Sequence, residues 1–290
     1  MMPSWPTKMQ WPPSNKCMKA FEIDSKKTVV FYLHGLRGHA FAQESALRHM
    51  VRNLGVNLVS LELPGHGKES ALEHCMVPKY RSIVKMIVEE IERRSTNAEQ
   101  IVLMGYSFGG SLMTLAAHSL TNNKDFKPHV AGLIGISTAF DVGHNVPKWQ
   151  VALVGTIAPL SRFLYRYLPN LSQFVTIREM TISLISPDAN VQASIEQDDL
   201  VYKGRIPLNT SAQVHKAGLA ASKKINRLDC PILLVHAQND SIALPPKPQK
   251  LADNIKLKLF KTLRHNCIDG ANREAAVSRK HMMSFIADKL

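Results

Sequence analysis

Short runs of consecutive apolar residues alternate along this chain with longer stretches in which apolar positions recur every three or four residues. Thr28–Leu33 (TVVFYL), Val56–Leu61 (VNLVSL), Ile101–Met104 (IVLM), Val130–Ile136, Ile232–His236 and Leu257–Phe260 are of the first kind. They predict short strands buried on both faces. Glu44–Leu54 is of the second kind, and so is Tyr80–Arg94, with Ile83, Val84, Ile87, Val88 and Ile91 at helical spacing. Of two more predicted helices, one follows the strand IVLM and runs to Leu120, and the other covers about Glu274 to Lys289. Strand–helix alternation of this kind predicts an α/β fold: a mostly parallel central sheet flanked by helices. Internal repeats and low-complexity tracts are absent.

One stretch breaks the alternation. Residues 141–216 contain no clear strand, but hold Trp149, the aromatics Phe163, Tyr165 and Tyr167, then Pro169 and helical-looking pieces. A crossover needs only a short loop and a helix, so this length predicts an insertion that caps one end of the sheet. The expected organisation is an N-terminal arm (1–20), a core in two parts (21–140 and 217–290) and a helical cap, or lid (141–216).

Composition narrows the class. At 290 residues and 45% hydrophobic content the chain can bury a full core. No apolar run approaches the roughly 18 residues of a membrane span. The N-terminal stretch carries Trp5, Trp11 and several prolines but no continuous apolar segment, so it does not read as a secretory signal or a transit peptide, and the cytoplasm is the expected compartment. Cys17, Cys75, Cys230 and Cys267 are widely spaced and match no zinc pattern, which predicts free thiols. The formal net charge of +13 favours anionic partners. Lysine and arginine are scattered, however, and no nucleic-acid-binding motif accompanies them. Weak contact with an anionic membrane surface and a merely basic surface both remain open.

The strongest chemical signal is Gly105-Tyr106-Ser107-Phe108-Gly109, followed by Gly110. It lies between a predicted strand and a predicted helix, the context that a G-x-S-x-G turn requires. Such a turn exposes the serine hydroxyl at the strand's C-terminal edge, above helix N-terminal amides that favour developing negative charge. Gly135-Ile136-Ser137-Thr138-Ala139 is similar, but no helix follows it, so Ser137 reads as a strand-end residue.

A serine hydroxyl needs a base to take its proton. In this context the chain order is serine, acid, histidine. Asp240 lies in a polar turn just past the strand PILLVHA, and His265 follows the strand LKLF. The alternatives fit less well. His281 lies within the last helix, Asp229 precedes its strand, and Asp269 is too close to His265. An oxyanion hole needs two backbone donors; the candidates are the N–H groups of Phe108 and of Leu36, the latter in His34-Gly35-Leu36-Arg37-Gly38. His34 is expected to brace that loop, and Cys267 to be a small filler.

Other chemistries find no support. There is no H-E-x-x-H, and no G-x-G-x-x-G opens a helix after a strand. Gly65-His66-Gly67-Lys68-Glu69-Ser70 is a poor phosphate loop, because Glu69 stands where a magnesium-binding hydroxyl belongs. No metal and no cofactor are expected.

FYLHGLRGH, LELPGHGKES, VLMGYSFGGSL, DDLVYKGRIPLNTSAQ, PILLVHAQNDSIALP and His265 together resemble the monoacylglycerol lipase and lysophospholipase branch of the α/β-hydrolases. The resemblance runs from about Lys27 to the C-terminus. DDLVYKGRIPLNT carries weight because it lies outside the catalytic motifs, although Asp199-Leu200 lacks the proline of the family segment. The resemblance implies an α/β-hydrolase fold with a helical cap, no cofactor, and cleavage of acyl or lipid esters, such as monoacylglycerol or lysophospholipid, through an acyl-enzyme. Thioester or amide cleavage on the same triad, and a non-catalytic binding role, are the alternatives. Oligomeric state is not legible.

Overall fold

The computed structural model describes residues 20–21, 28–67, 75–142, 176–177 and 181–290. A seven-stranded sheet organises them. Its strands are β1 (Ala20–Phe21), β2 (Thr28–Leu33), β3 (Asn57–Leu61), β4 (Gln100–Tyr106), β5 (His129–Ile136), β8 (Ile232–Ala237) and β9 (Ile255–Phe260). The order is β1-β3-β2-β4-β5-β8-β9. Every neighbouring pair is parallel except β1 with β3. A separate antiparallel pair joins β6 (Thr176–Ile177) to β7 (Ile206–Pro207).

The helices are α1 (Glu44–Leu54), α2 (Tyr80–Arg94), α3 (Phe108–Thr121), α4 (Ala189–Gln197), α5 (Leu208–Lys224) and α6 (Arg273–Ala287). Successive strand side chains point to opposite faces, and this sorts the core into two layers. Phe31, Leu33 and Leu103 pack with Ile83, Ile87 and Ile91 of α2, Leu112 of α3 and Ala217 of α5. Val30, Tyr32 and Met104 pack on the other face with Leu47 and Met50 of α1 and Phe285 and Ile286 of α6. Both faces of the central strands are therefore covered, which is why their sequences are continuously apolar rather than alternating.

The predicted elements are all present, and several strands extend by a residue or two beyond the apolar run that announced them. The strand IVLM, for example, spans Gln100–Tyr106. The expected cap differs from the structure in two respects. It contains the short β6–β7 pair where no strand was expected. Its boundary at 216/217 also falls inside α5, whose Val214, Ala217 and Ala221 belong to the core. α5 is one continuous helix across that boundary and packs mainly on α3. Residues 143–175 and 178–180 of the expected cap, with Trp149, Phe163, Tyr165, Tyr167 and Pro169, lie outside the described residues. So do most of the N-terminal arm, Cys17 and the Lys68-Glu69-Ser70 part of the weak phosphate-loop pattern. Among the described residues no helix is long and apolar enough to cross a membrane.

Candidate active site

β4 ends at Tyr106 and α3 starts at Phe108, leaving Ser107 alone to make the turn. It does so with φ 53° and ψ −118°, a region that side chains with a Cβ rarely occupy. The flanking glycines make that turn possible. A Cβ on Gly105 would sit 2.6 Å from the Gly109 carbonyl oxygen, and one on Gly109 would sit 2.4 Å from the carbonyl oxygens of both Leu33 and His34. Backbone bonds hold the strained residue: the Ser107 N–H donates to Ile136 O (2.8 Å), and the Ala139 N–H donates to Ser107 O (3.1 Å).

The three side chains singled out in the sequence meet here. His265 Nε2 lies 2.8 Å from Ser107 Oγ, and His265 Nδ1 lies 2.8 Å from Asp240 Oδ2. A carboxylate can only accept, so Nδ1 carries the hydrogen and Nε2 is left to accept from the serine hydroxyl. Burial pushes the Asp240 carboxyl up, but the charge on His265 and hydrogen bonds from His236 and His265 outweigh it and hold the group well below the usual carboxylate range. The loop bearing His265 is pinned by the Asn266 N–H, which donates to Ile185 O (2.7 Å). The Tyr106 ring packs beside the imidazole, with centroids 5.2 Å apart.

The loop after β2 abuts the serine: a Cβ on Gly35 would lie 3.0 Å from Ser107 Cβ. Leu36 and Phe108 line the same cavity as Ser107 and His265. His34 braces this loop, as expected. Its Nδ1 lies 2.7 Å from Gly35 O, and its Nε2 sits between Leu63 N (3.0 Å) and Glu62 Oε1 (2.5 Å). Arg37 adopts φ 69°, and its N–H donates to His66 Nε2 (3.0 Å).

A second brace comes from residues 198–204. The Tyr202 N–H donates to Arg37 O (2.9 Å), the Arg37 guanidinium donates to Gly204 O, and His39 Nε2 lies 2.7 Å from Asp198 Oδ2. This is the DDLVYKG segment, so its distinctive sequence has a structural counterpart.

The cavity has a volume of about 1110 Å³ and is mainly apolar, with Leu36, Phe108, Val142, Val201, Ile206 and Val214 among its walls. Asp269, set aside in the sequence as a triad member, also lines it. Burial raises its carboxyl pKa, and Asn266 Nδ2 donates to it at 2.8 Å. Ser137 is fully buried, and its hydroxyl contacts Cys267 Sγ at 3.4 Å. Burial pushes the Cys267 thiol up to about 12, which makes it an inert filler. His281, on α6, contacts Phe260 of β9 and does not line the cavity, while Asp229 is exposed ahead of β8. Among the described residues no cluster of His, Cys, Asp or Glu could hold a metal.

Residues 24–270 match the family described as serine aminopeptidase, S33. An uncharacterized abhydrolase domain-containing protein of Dictyostelium discoideum is 26% identical over 238 residues, which is 81% of this chain; the chain spans only 23% of that relative's length. A monoglyceride lipase homolog of monkeypox virus is 22% identical over 226 residues, 76% of this chain and 74% of the viral protein. The crystal structure of a Paleococcus ferrophilus monoacylglycerol lipase superposes with a TM-score of 0.74 at 20% identity, covering 94% of this chain and 98% of that one. The architecture is therefore the α/β-hydrolase fold.

Proposed function

The chain belongs to the serine aminopeptidase S33 family, and on that premise we propose that it is a serine hydrolase that cleaves acyl or lipid esters. The observation that carries this reading is His265 held between Ser107 Oγ and Asp240 Oδ2, at 2.8 Å from each, on the wall of a largely apolar cavity.

In the proposed mechanism His265, oriented by Asp240, takes the Ser107 proton as Oγ attacks the ester carbonyl. The carbonyl π-bond electrons move onto oxygen, and the N–H groups of Leu36 and Phe108 stabilise that oxyanion. Each such donor is typically worth about 2.7–4 kcal/mol. Collapse of the tetrahedral intermediate expels the alcohol, which takes its proton from His265. Water, activated by the same base, then attacks the acyl-enzyme and releases the acid. The apolar walls accept the acyl chain and exclude water. Ile182, Ile185, Val191, Ile195 and Val201, all within the expected cap at 141–216, line the same cavity and add to that enclosure. Monoacylglycerol or lysophospholipid is the proposed substrate class, consistent with the lipases among the relatives. The positive net charge would draw the protein to anionic lipid surfaces where such esters reside.

The test compares wild type with Ser107→Ala on p-nitrophenyl esters of graded chain length and on monoacylglycerols. Ser107-dependent turnover that peaks at medium or long chains is expected; ester turnover that survives Ser107→Ala overturns the assignment. The family description favours one second reading, cleavage of a peptide amide. Matched ester, thioester and amide substrates decide between them, since the triad serves all three.

A further inference from the structure

Asp240 is held by more than the histidine that uses it. Its Oδ1 accepts the backbone N–H groups of Ile242 (2.8 Å) and Ala243 (3.0 Å). Its Oδ2 is approached by two imidazoles: His265 Nδ1 at 2.8 Å and His236 Nε2 at 3.2 Å. His236 sits on β8, four residues before Asp240, and is only 1% exposed. Its Nε2 also lies 2.9 Å from the Ala243 carbonyl oxygen. That oxygen can only accept, so Nε2 must carry a hydrogen. Oδ2 stands 3.2 Å from the same nitrogen, so His236 lies against both ends of the turn from Asp240 to Ala243.

We propose that His236 is a positioning residue of the active site: its Nε2–H fixes the Asp240 carboxylate and draws off part of the charge that Oδ2 presents to His265, and so sets how strongly His265 behaves as a base. This rests on the esterase reading above, in which Asp240 orients His265. A buried imidazole in the middle of an otherwise aliphatic strand costs desolvation, and an aliphatic side chain would fill the space without it. What only the imidazole supplies is a donor that reaches Asp240 and Ala243 at once.

Two of the other groups facing the pair, Tyr106 and Cys267, are pushed above the working range. Burial pushes the Tyr106 hydroxyl well above its ordinary value and the Cys267 thiol up to about 12. Asp269, further along the same loop, is raised by burial and is hydrogen-bonded to Asn266. Asp269 is the same in every protein compared, so a shift of the acid limb on altering His236 reports on the Asp240–His265 pair.

The experiment compares wild type, His236→Leu and His236→Gln. It reads kcat and KM against pH on a soluble short-chain p-nitrophenyl ester, the rate of fluorophosphonate labelling of Ser107, and thermal unfolding. With the donor removed, Oδ2 faces His265 with more charge and less constraint. His236→Leu should lower kcat by roughly ten- to a hundredfold with KM within about twofold, and should move the acid limb of kcat/KM to higher pH. His236→Gln, which keeps a side-chain N–H of similar reach, should restore both. Should the leucine variant fail to fold, His236→Asn, whose amide is too short to span to Asp240, is expected to show the same loss and the same shift. A folded leucine or asparagine variant with wild-type kcat and acid limb overturns the proposal, as does a glutamine variant no better than leucine. Absence of fluorophosphonate labelling in wild type overturns instead the esterase reading, and the positioning role with it.

Discussion

Asp198 Oδ2 lies 2.7 Å from His39 Nε2, joining a segment far along the chain to the loop that borders Ser107. The Phe41 N–H donates to the other ring nitrogen, Nδ1, at 3.2 Å, so Nε2 carries the hydrogen directed at the carboxylate. With the Tyr202–Arg37 and Arg37–Gly204 bonds, this contact makes the position of the Leu36 loop depend on residues 198–204. Arg37 sits at φ 69°, a conformation that needs such outside support.

Asp198→Asn should therefore loosen the loop that carries the proposed Leu36 donor. A fall in kcat of about tenfold is expected, roughly 1.4 kcal/mol of barrier and less than the loss of a whole oxyanion donor. Steady-state kinetics on a soluble ester check it; unchanged kcat would show that the loop holds its position without the ion pair.

The same pair carries a pH signature. Burial raises the Asp198 carboxyl pKa, but the hydrogen bond from His39 and the Leu200 N–H outweigh it, and the net shift is downward. A carboxyl depressed in the folded state stabilises above its unfolded value of about 3.9, and that contribution is lost as pH falls through the folded value. The melting-temperature gap between wild type and Asp198→Asn should be full at pH 6 and close as pH drops below about 4.

Asp240→Asn should keep the Ile242 and Ala243 N–H bonds through its amide oxygen, but it presents an amide N–H or a weaker acceptor to His265 Nδ1. The wrong imidazole tautomer is then favoured, and a loss in kcat on the order of 10³–10⁴ is expected with little change in unfolding temperature. Activity within tenfold of wild type would remove Asp240 from the triad.

Gly109→Ala would drive a methyl to within 2.4 Å of two carbonyl oxygens, both belonging to backbone at the end of β2 and the start of the loop. Neither can step aside without moving the sheet, so the cost should reach or exceed the roughly 1–3 kcal/mol of ordinary overpacking. Urea unfolding midpoints measure it.

Cys267 should resist alkylation in the native protein despite standing two residues from His265. It is fully buried and its thiol is pushed up to about 12, so the thiolate is scarce and out of reach. Mass mapping of the Cys267 peptide after iodoacetamide treatment, native against urea-unfolded, should show labelling only after unfolding.

Strands and helices were legible because their signals are local. TVVFYL is apolar on both faces wherever it is placed, and Ile83, Ile87 and Ile91 make one stripe at any orientation of α2. Ser107, Asp240 and His265 were legible for a related reason: each follows a strand, so parallel strands deliver all three to one edge of the sheet. The continuity of α5 across 216/217 was not legible, because the helix carries mixed sequence on both sides and its packing against α3 is a tertiary contact.

The sequence by itself determined the fold class, the strained serine turn and the order of the three residues proposed as a triad, since all of these follow from periodicity and from motifs read along one strand–helix unit. Tertiary structure alone decided which groups surround them. His236 on Asp240, Asp198 on His39 and Asp269 on the cavity wall are contacts between side chains whose neighbours in sequence say nothing about them. Such contacts form only when the strands take their order in the sheet and bring loops distant in sequence to a single edge.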